Sequence, residues 1–177
     1  MQERRIAKDT LLKKAREGDA GAFTALMQAQ EQNLWRAARA ILKNDADAAD
    51  ALQDTALRAW QRMGEVREDT SFKAWITRIL VNRCCDILRG KKRLVSLETL
   101  PEQGQEEDRD LSLDVRSVLA ALAENDRLIL TLFYLDDLSV RQVAFVLDLK
   151  ESAVRTRLTR ARERFRRQYA SCKEVPV

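Results

Sequence analysis

The 177-residue sequence contains no histidine. That absence removes the usual general base, the commonest nitrogen ligand for metals and the side chain that titrates near neutral pH. Neither catalysis nor a metal or other cofactor is expected. Cysteine is scarce as well: Cys84 and Cys85 are adjacent and Cys172 stands alone near the tail, so no zinc-binding set of Cys-x-x-Cys pairs exists. Neighbours on a helix point about 100° apart and are badly placed to bridge. Reduced packing residues are the plain reading of this pair, and a redox role is the alternative. No apolar run is long enough to span a bilayer, and the opening MQERRIAKDT is charged where a secretory signal needs an apolar stretch, so a cytoplasmic chain is expected. Five glycines and two prolines leave few obligatory turns, and no alternating pattern is sustained enough for a sheet.

What remains is helical. With 45% hydrophobic residues, the chain can bury one ordinary core or two small ones. Its charge is unevenly spread: residues 1–93 carry 19 basic and 13 acidic side chains, residues 94–114 carry 1 and 7, and residues 115–177 carry 12 and 8. Two basic bodies therefore flank an acidic strip that also holds Pro101 and Gly104. The strip reads as a flexible linker, and the basic bodies suit a polyanionic partner such as nucleic acid. The predicted architecture is all-α, with two small helical domains (1–93 and 115–177) joined by the acidic linker 94–114.

Within the first domain, a helix over about 10–17 should stop at Gly18, and Asp19 should cap the next. Phe23, Leu26, Met27, Leu34, Ala38 and Ile41 form a single apolar stripe along that second helix. Asn44-Asp45 marks a turn and a cap. Ala48, Leu52, Ala56, Ala59, Trp60 and Met63 then continue inward as far as Gly64, with Asp50, Gln53, Asp54 and Arg58 off the stripe. After a polar loop over 65–71, a helix from Phe72 to about Gly90 buries Phe72, Trp75, Ile76, Ile79, Leu80 and Ile87. Its far side carries Thr77, Arg78, Val81, Cys85 and Arg89. Arg83 and Asp86 fall on the apolar arc, three residues apart, and are expected to pair with each other.

In the second domain, Val115, Val118, Leu119 and Leu122 form a short amphipathic helix. Asn125-Asp126 restarts the chain, and Leu128, Ile129, Leu132 and Phe133 form another. Ser139 and Gln142 have capping-box spacing, so a helix should begin at Val140 with Val143, Ala144 and Leu147 inward. Asp148-Leu149-Lys150 interrupts it, and a new stripe follows at Val154, Leu158, Ala161 and Phe165. Two short-linked helices with a small residue at the contact predict a helix-turn-helix. The opposite face of the last helix offers Ser152, Arg155, Thr156, Thr159, Arg160 and Glu163. Forked donors and short hydroxyls of this kind read base edges and hold phosphates. A basic helix can also be a solvated face, or dock on a calmodulin-like partner or an anionic lipid, though this face lacks the large apolar residues that lipid would need.

Four motifs in order carry a resemblance that runs from about Gly18 to Arg167: GDAGAFTALM (18–27), DAADALQDTALRAW (47–60), SFKAWITRILVNRCCDILR (71–89) and LSVRQVAFVLDLKESAVRTRLTRARERF (138–165). Together they resemble the extracytoplasmic-function group of sigma-70 family RNA polymerase sigma factors. The resemblance implies a promoter-melting domain and a helix-turn-helix domain serving a monomeric, dissociable initiation factor. Asp50, Gln53 and Asp54 resemble the face that grips the clamp helices of the polymerase largest subunit. Arg67, Asp69, Thr70, Ser71, Lys73, Trp75, Arg78 and Asn82 resemble the surface that captures a flipped base of the minus-10 element, although Trp75 also fits the core. Lys150, Ser152, Arg155, Thr156, Thr159 and Arg160 resemble the minus-35 readers. Core polymerase, through its clamp and flap, and promoter DNA are the implied partners, together with an anti-sigma protein that is often membrane-anchored.

The chain departs from the family pattern at Asp54, where Glu is usual, at Asp148, where a turn glycine is usual, and at Lys150, where Ser or Pro is usual. The rival classes are a helix-turn-helix regulator that binds palindromic DNA as a dimer, and a helical scaffold for acidic proteins or RNA.

Overall fold

The structure, a computed structural model, describes residues 2–66, 71–94 and 113–173. Among these, all regular structure is helical: α1 (Gln2–Arg16), α2 (Ala20–Gln28), α3 (Glu31–Leu42), α4 (Asp45–Gln61), α5 (Phe72–Leu94), α6 (Leu113–Ala121), α7 (Glu124–Leu130), α8 (Val140–Leu147) and α9 (Glu151–Lys173). A 3-10 turn over Met63–Glu65 follows α4, and a wide π-type turn over Thr131–Leu135 extends α7. The acidic segment 95–112 lies outside the described residues.

The signals at Gly18, Asp19 and Asn44 act as predicted, although α1 begins at Gln2, well before the expected start near residue 10. Gly18 takes φ +94, a conformation that a side chain resists, and Asp19 then accepts the Ala22 N–H at 2.9 Å to begin α2. Asn44 accepts the Asp47 N–H at 2.9 Å and starts α4. Two expectations need correction. The stripe from Phe23 to Ile41 is not one helix, because the chain turns at Ala29-Gln30 and α3 starts afresh; neither residue is a helix breaker, so periodicity alone runs straight through. The restart before α7 falls at Ala123, without a side-chain cap. Asp126 is instead buried, with its carboxylate on Arg164.

Leu34, Ala38, Ala48, Ala51, Ala59, Ile76 and Leu80 build the core of the first half, and Val118, Ile129, Leu132, Leu138, Val143, Val154 and Leu158 build that of the second. Each large side chain buried this way stabilises the fold by roughly 1.5–3 kcal/mol. The halves do not stay apart: α3 and α5 pack against α7, the π-turn and α8. The far side expected of α5 is narrower than predicted: Thr77 and Val81 are buried along with the predicted arc, while Arg89 stays exposed.

Cys84 is fully buried and Cys85 half-buried. Burial pushes the Cys84 thiol up to about 12, and burial raises Cys85 as well. At about pH 8 only roughly one Cys84 in ten thousand would be thiolate, the reactive form. In the folded protein, iodoacetamide should therefore label Cys84 only on unfolding, as peptide mass spectrometry would show. Rapid labelling under native conditions would restore the redox reading.

Candidate nucleic-acid interface

The helix-turn-helix forms where the sequence places it. Ser139 accepts the Gln142 N–H, and the Gln142 side chain accepts the Ser139 N–H, closing a reciprocal cap on α8. Asp148 ends α8 in the left-handed conformation, φ 54 and ψ 50, that the usual glycine would take. Aspartate tolerates this region better than most residues, so the turn survives the substitution.

From there α9 is two-faced. Val154, Leu158 and Ala161 are buried and Phe165 is half-buried, while Lys150, Ser152, Arg155, Thr156, Thr159, Arg160 and Glu163 are exposed. The Thr156 hydroxyl donates to the Ser152 carbonyl and the Thr159 hydroxyl to the Arg155 carbonyl, both at 3.1 Å. Each hydroxyl oxygen thus faces outward with acceptor capacity left. Arg155 lies 3.2 Å from Glu151, an exposed pair of the kind worth at most about 1 kcal/mol and readily exchanged for a phosphate or base.

Residues 150–167 hold 8 basic and 2 acidic side chains, but they do not all serve this face. Arg162 donates to the Tyr134 hydroxyl at 2.6 Å and lies over the Phe133 and Tyr134 rings. Arg164 is held by Asp126. Both tie α9 to the body of the second half, which the charge count could not reveal. Their partners are aromatic and acidic residues distant in sequence.

On the first half, Arg67, Asp69 and Thr70 lie outside the described residues. Ser71 precedes α5, and its carbonyl accepts the Trp75 N–H at 3.0 Å. Trp75 is half-buried, its ring 5.9 Å from that of Phe72, while Asn82 is exposed. Lys73 donates its ammonium to the Asp136 carbonyl. The Arg78 guanidinium sits 4.7 Å above the Phe145 ring and 3.3 Å from the Asp148 carboxylate. Lys73 and Arg78 therefore meet the second half of the chain, a placement that local spacing does not foretell.

On α4, Asp50 and Gln53 are exposed on one face, and Leu57 and Trp60 are its exposed apolar residues. Asp54 differs. Its carboxylate is 2.6 Å from Arg83 on α5, which overturns the expected Arg83–Asp86 pair. Asp86 is held by Arg89, 2.8 Å away. A neighbouring helix brings Asp54 to Arg83, and the local i, i+3 partner is left to Arg89.

A two-faced helix after a left-handed turn, carried by a basic all-helical chain, defines a DNA-binding protein of the helix-turn-helix class. Two family models match the sequence, Sigma-70 region 2 over residues 26–94 and Sigma-70, region 4 over residues 112–165. ECF RNA polymerase sigma factor SigM of Mycobacterium tuberculosis is 32% identical over 153 residues, spanning 85% of this chain and 78% of that protein. ECF RNA polymerase sigma factor SigW of Bacillus subtilis is 24% identical over 176 residues, spanning 89% and 94%. Among solved structures, CnrH in complex with the cytosolic domain of CnrY matches with a TM-score of 0.71 at 27% identity, covering 93% of this chain and 98% of that one. The chain belongs to the extracytoplasmic-function RNA polymerase sigma factors. It is a transcription initiation factor.

Proposed function

We propose that this sigma factor brings core RNA polymerase to one class of promoters through two spaced DNA contacts while leaving the chemistry to the polymerase. The observation that carries this reading is the division of α9 into a buried face and an exposed face of Arg155, Thr156, Thr159 and Arg160. In this reading, residues 115–177 meet the minus-35 element and the polymerase flap. Residues 1–93 meet the clamp helices and the minus-10 strand, and the acidic segment 94–114 threads between them. The factor works as a monomer in the cytoplasm. CnrH was solved bound to the cytosolic domain of CnrY, and an anti-sigma partner, membrane-anchored or not, is proposed here by analogy.

The clamp contact divides among its three residues. Asp50 and Gln53 point outward and are assigned to the polymerase, whereas Asp54 is assigned first to holding α5 through Arg83. Asp50→Ala with Gln53→Ala should weaken capture of core polymerase about tenfold without altering the melting temperature, the loss expected for one or two interface hydrogen bonds. Asp54→Ala should lower the melting temperature. Core polymerase plus this chain should yield transcripts with defined starts from a genomic promoter library. Failure on every template, together with sedimentation as a tight symmetric dimer on DNA, would instead establish the dimeric regulator.

A further inference from the structure

Arg141 occupies the second position of α8, where the reciprocal Ser139–Gln142 cap has just closed the helix start. It is exposed, and among the described residues it makes no hydrogen bond, ion pair or ring contact. A cation is out of place there. The positive end of the helix macrodipole repels it, and α8 has no acidic residue in its first turn to offset the repulsion. Other helices follow the electrostatic preference: α3, α4, α7 and α9 carry acids in their first turns, and α1, α3, α4 and α7 carry basic residues in their last. Lys73 holds the same position in α5 but is taken up by the Asp136 carbonyl. Packing does not require Arg141 either. Val143, Ala144 and Val146 supply the buried side of α8, and Phe145, the next residue on its outer side, is the one that meets Arg78.

Against DNA the position has a purpose. With α9 in the major groove, the first helix of a helix-turn-helix crosses the sugar-phosphate backbone. The 8 residues of α8 span about 12 Å, close to the roughly 12 Å width of that groove. Arg141 stands at the start of this helix and the exposed Lys150 just beyond its end, so one free cation marks each end of the element that crosses the groove. We propose that Arg141 is a positioning residue for minus-35 recognition: its guanidinium binds a backbone phosphate beside the groove and fixes the depth and register of α9 without reading a base. This role rests on the assignment of α9 to the major groove. A phosphate beside Arg141 also cancels the repulsion from the helix end, so a cation that is unfavourable in the free chain becomes favourable on DNA. Stability and binding should therefore respond to its removal with opposite signs, which a merely structural arginine would not produce.

Holoenzyme assembled from core RNA polymerase and the full chain tests this on two fluorescein-labelled duplexes, taken from the genomic promoter library and differing in their minus-35 sequence. Arg141→Gln should weaken binding about fivefold on both duplexes alike. It should also lower the slope of log affinity against log salt by about 0.9, the value for one phosphate. Arg141→Lys should restore most of the affinity, since a phosphate needs charge rather than a planar fork. In the free chain, Arg141→Gln should raise the melting temperature by about 1–2 °C and Arg141→Glu by about 2–4 °C. A loss confined to one duplex, an unchanged salt slope or a lowered melting temperature overturns the phosphate role. So does weakened capture of core polymerase in the absence of DNA, which would make Arg141 a polymerase contact. Arg160→Ala is the control on the underlying assignment. If it weakens binding while Arg141→Gln does not, α9 keeps its place in the groove and only the anchor falls. If neither variant weakens binding, the assignment of α9 falls as well.

Discussion

Replacing Arg127 with methionine should lower the free energy of unfolding by about 3 kcal/mol, read as a shift in the urea midpoint. The Arg127 side chain is almost wholly buried, and the charge of Glu124 favours its cation while burial opposes it. Its Nε donates to the Ala40 carbonyl at 2.7 Å, and its Nη1 donates to the carbonyls of Leu122 at 2.9 Å and Ala120 at 3.2 Å. These carbonyls lie in the last turns of α3 and α6 and on Leu122, the residue that follows α6, where a helix leaves acceptors without partners and where the macrodipole favours a cation. One guanidinium thus caps two helices.

Burial opposes this arrangement. It lowers the Arg127 pKa, because a charge is being kept from water, and replacing a buried charge with an apolar residue sometimes stabilises a protein. Here the three carbonyls decide the balance. Methionine fills much of the space but leaves all three acceptors orphaned, at about 1–3 kcal/mol for each that water cannot reach. Arg127→Lys should fall between the two, since a single ammonium cannot serve carbonyls on two helices. Because Ala40 lies in the first half and Arg127 in the second, the methionine variant should also reduce the slope of the urea transition as the halves begin to melt separately. An unchanged midpoint with methionine would mean that desolvation outweighs the three bonds.

This arginine also marks where sequence reading stops. Local signals were legible because their causes are local: Gly18, Asp19, Asn44 and the Ser139–Gln142 box act within four residues, and the α9 stripe emerges from one helical period. The candidate readers on α9 were legible for the same reason. In contrast, Arg83 chose Asp54 on the next helix over Asp86 on its own, and Arg162 and Arg164 left the basic face for Tyr134 and Asp126. Spacing offers a charged residue its neighbours along the chain, whereas packing offers carboxylates, rings and carbonyls from other elements, and long side chains reach them. The burial of Thr77 and Val81 has the same origin, because α5 is packed on by other helices, α3, α4 and α8.

Arg160→Ala should reduce transcription from a matched minus-35 promoter by about 10- to 100-fold, corresponding to roughly 1–3 kcal/mol for a forked contact to a base edge. Arg160 is exposed on α9, and no stability loss should accompany the change. Lysine separates the two ways in which a cation can act there. A phosphate contact needs only charge, so Arg160→Lys would keep most of the activity and both variants would weaken all promoters alike. A base contact needs the planar fork, so lysine would fail nearly as badly as alanine, and the loss would vanish on promoters altered at a single minus-35 position. The second pattern is expected, because Thr156 and Thr159 sit beside Arg160 with outward oxygen acceptors suited to the same groove. Arg155→Ala should have a smaller effect, since Arg155 must first leave Glu151. Equal losses on every promoter, matched by a shallower dependence of binding on salt, would move Arg160 from reading bases to holding the backbone.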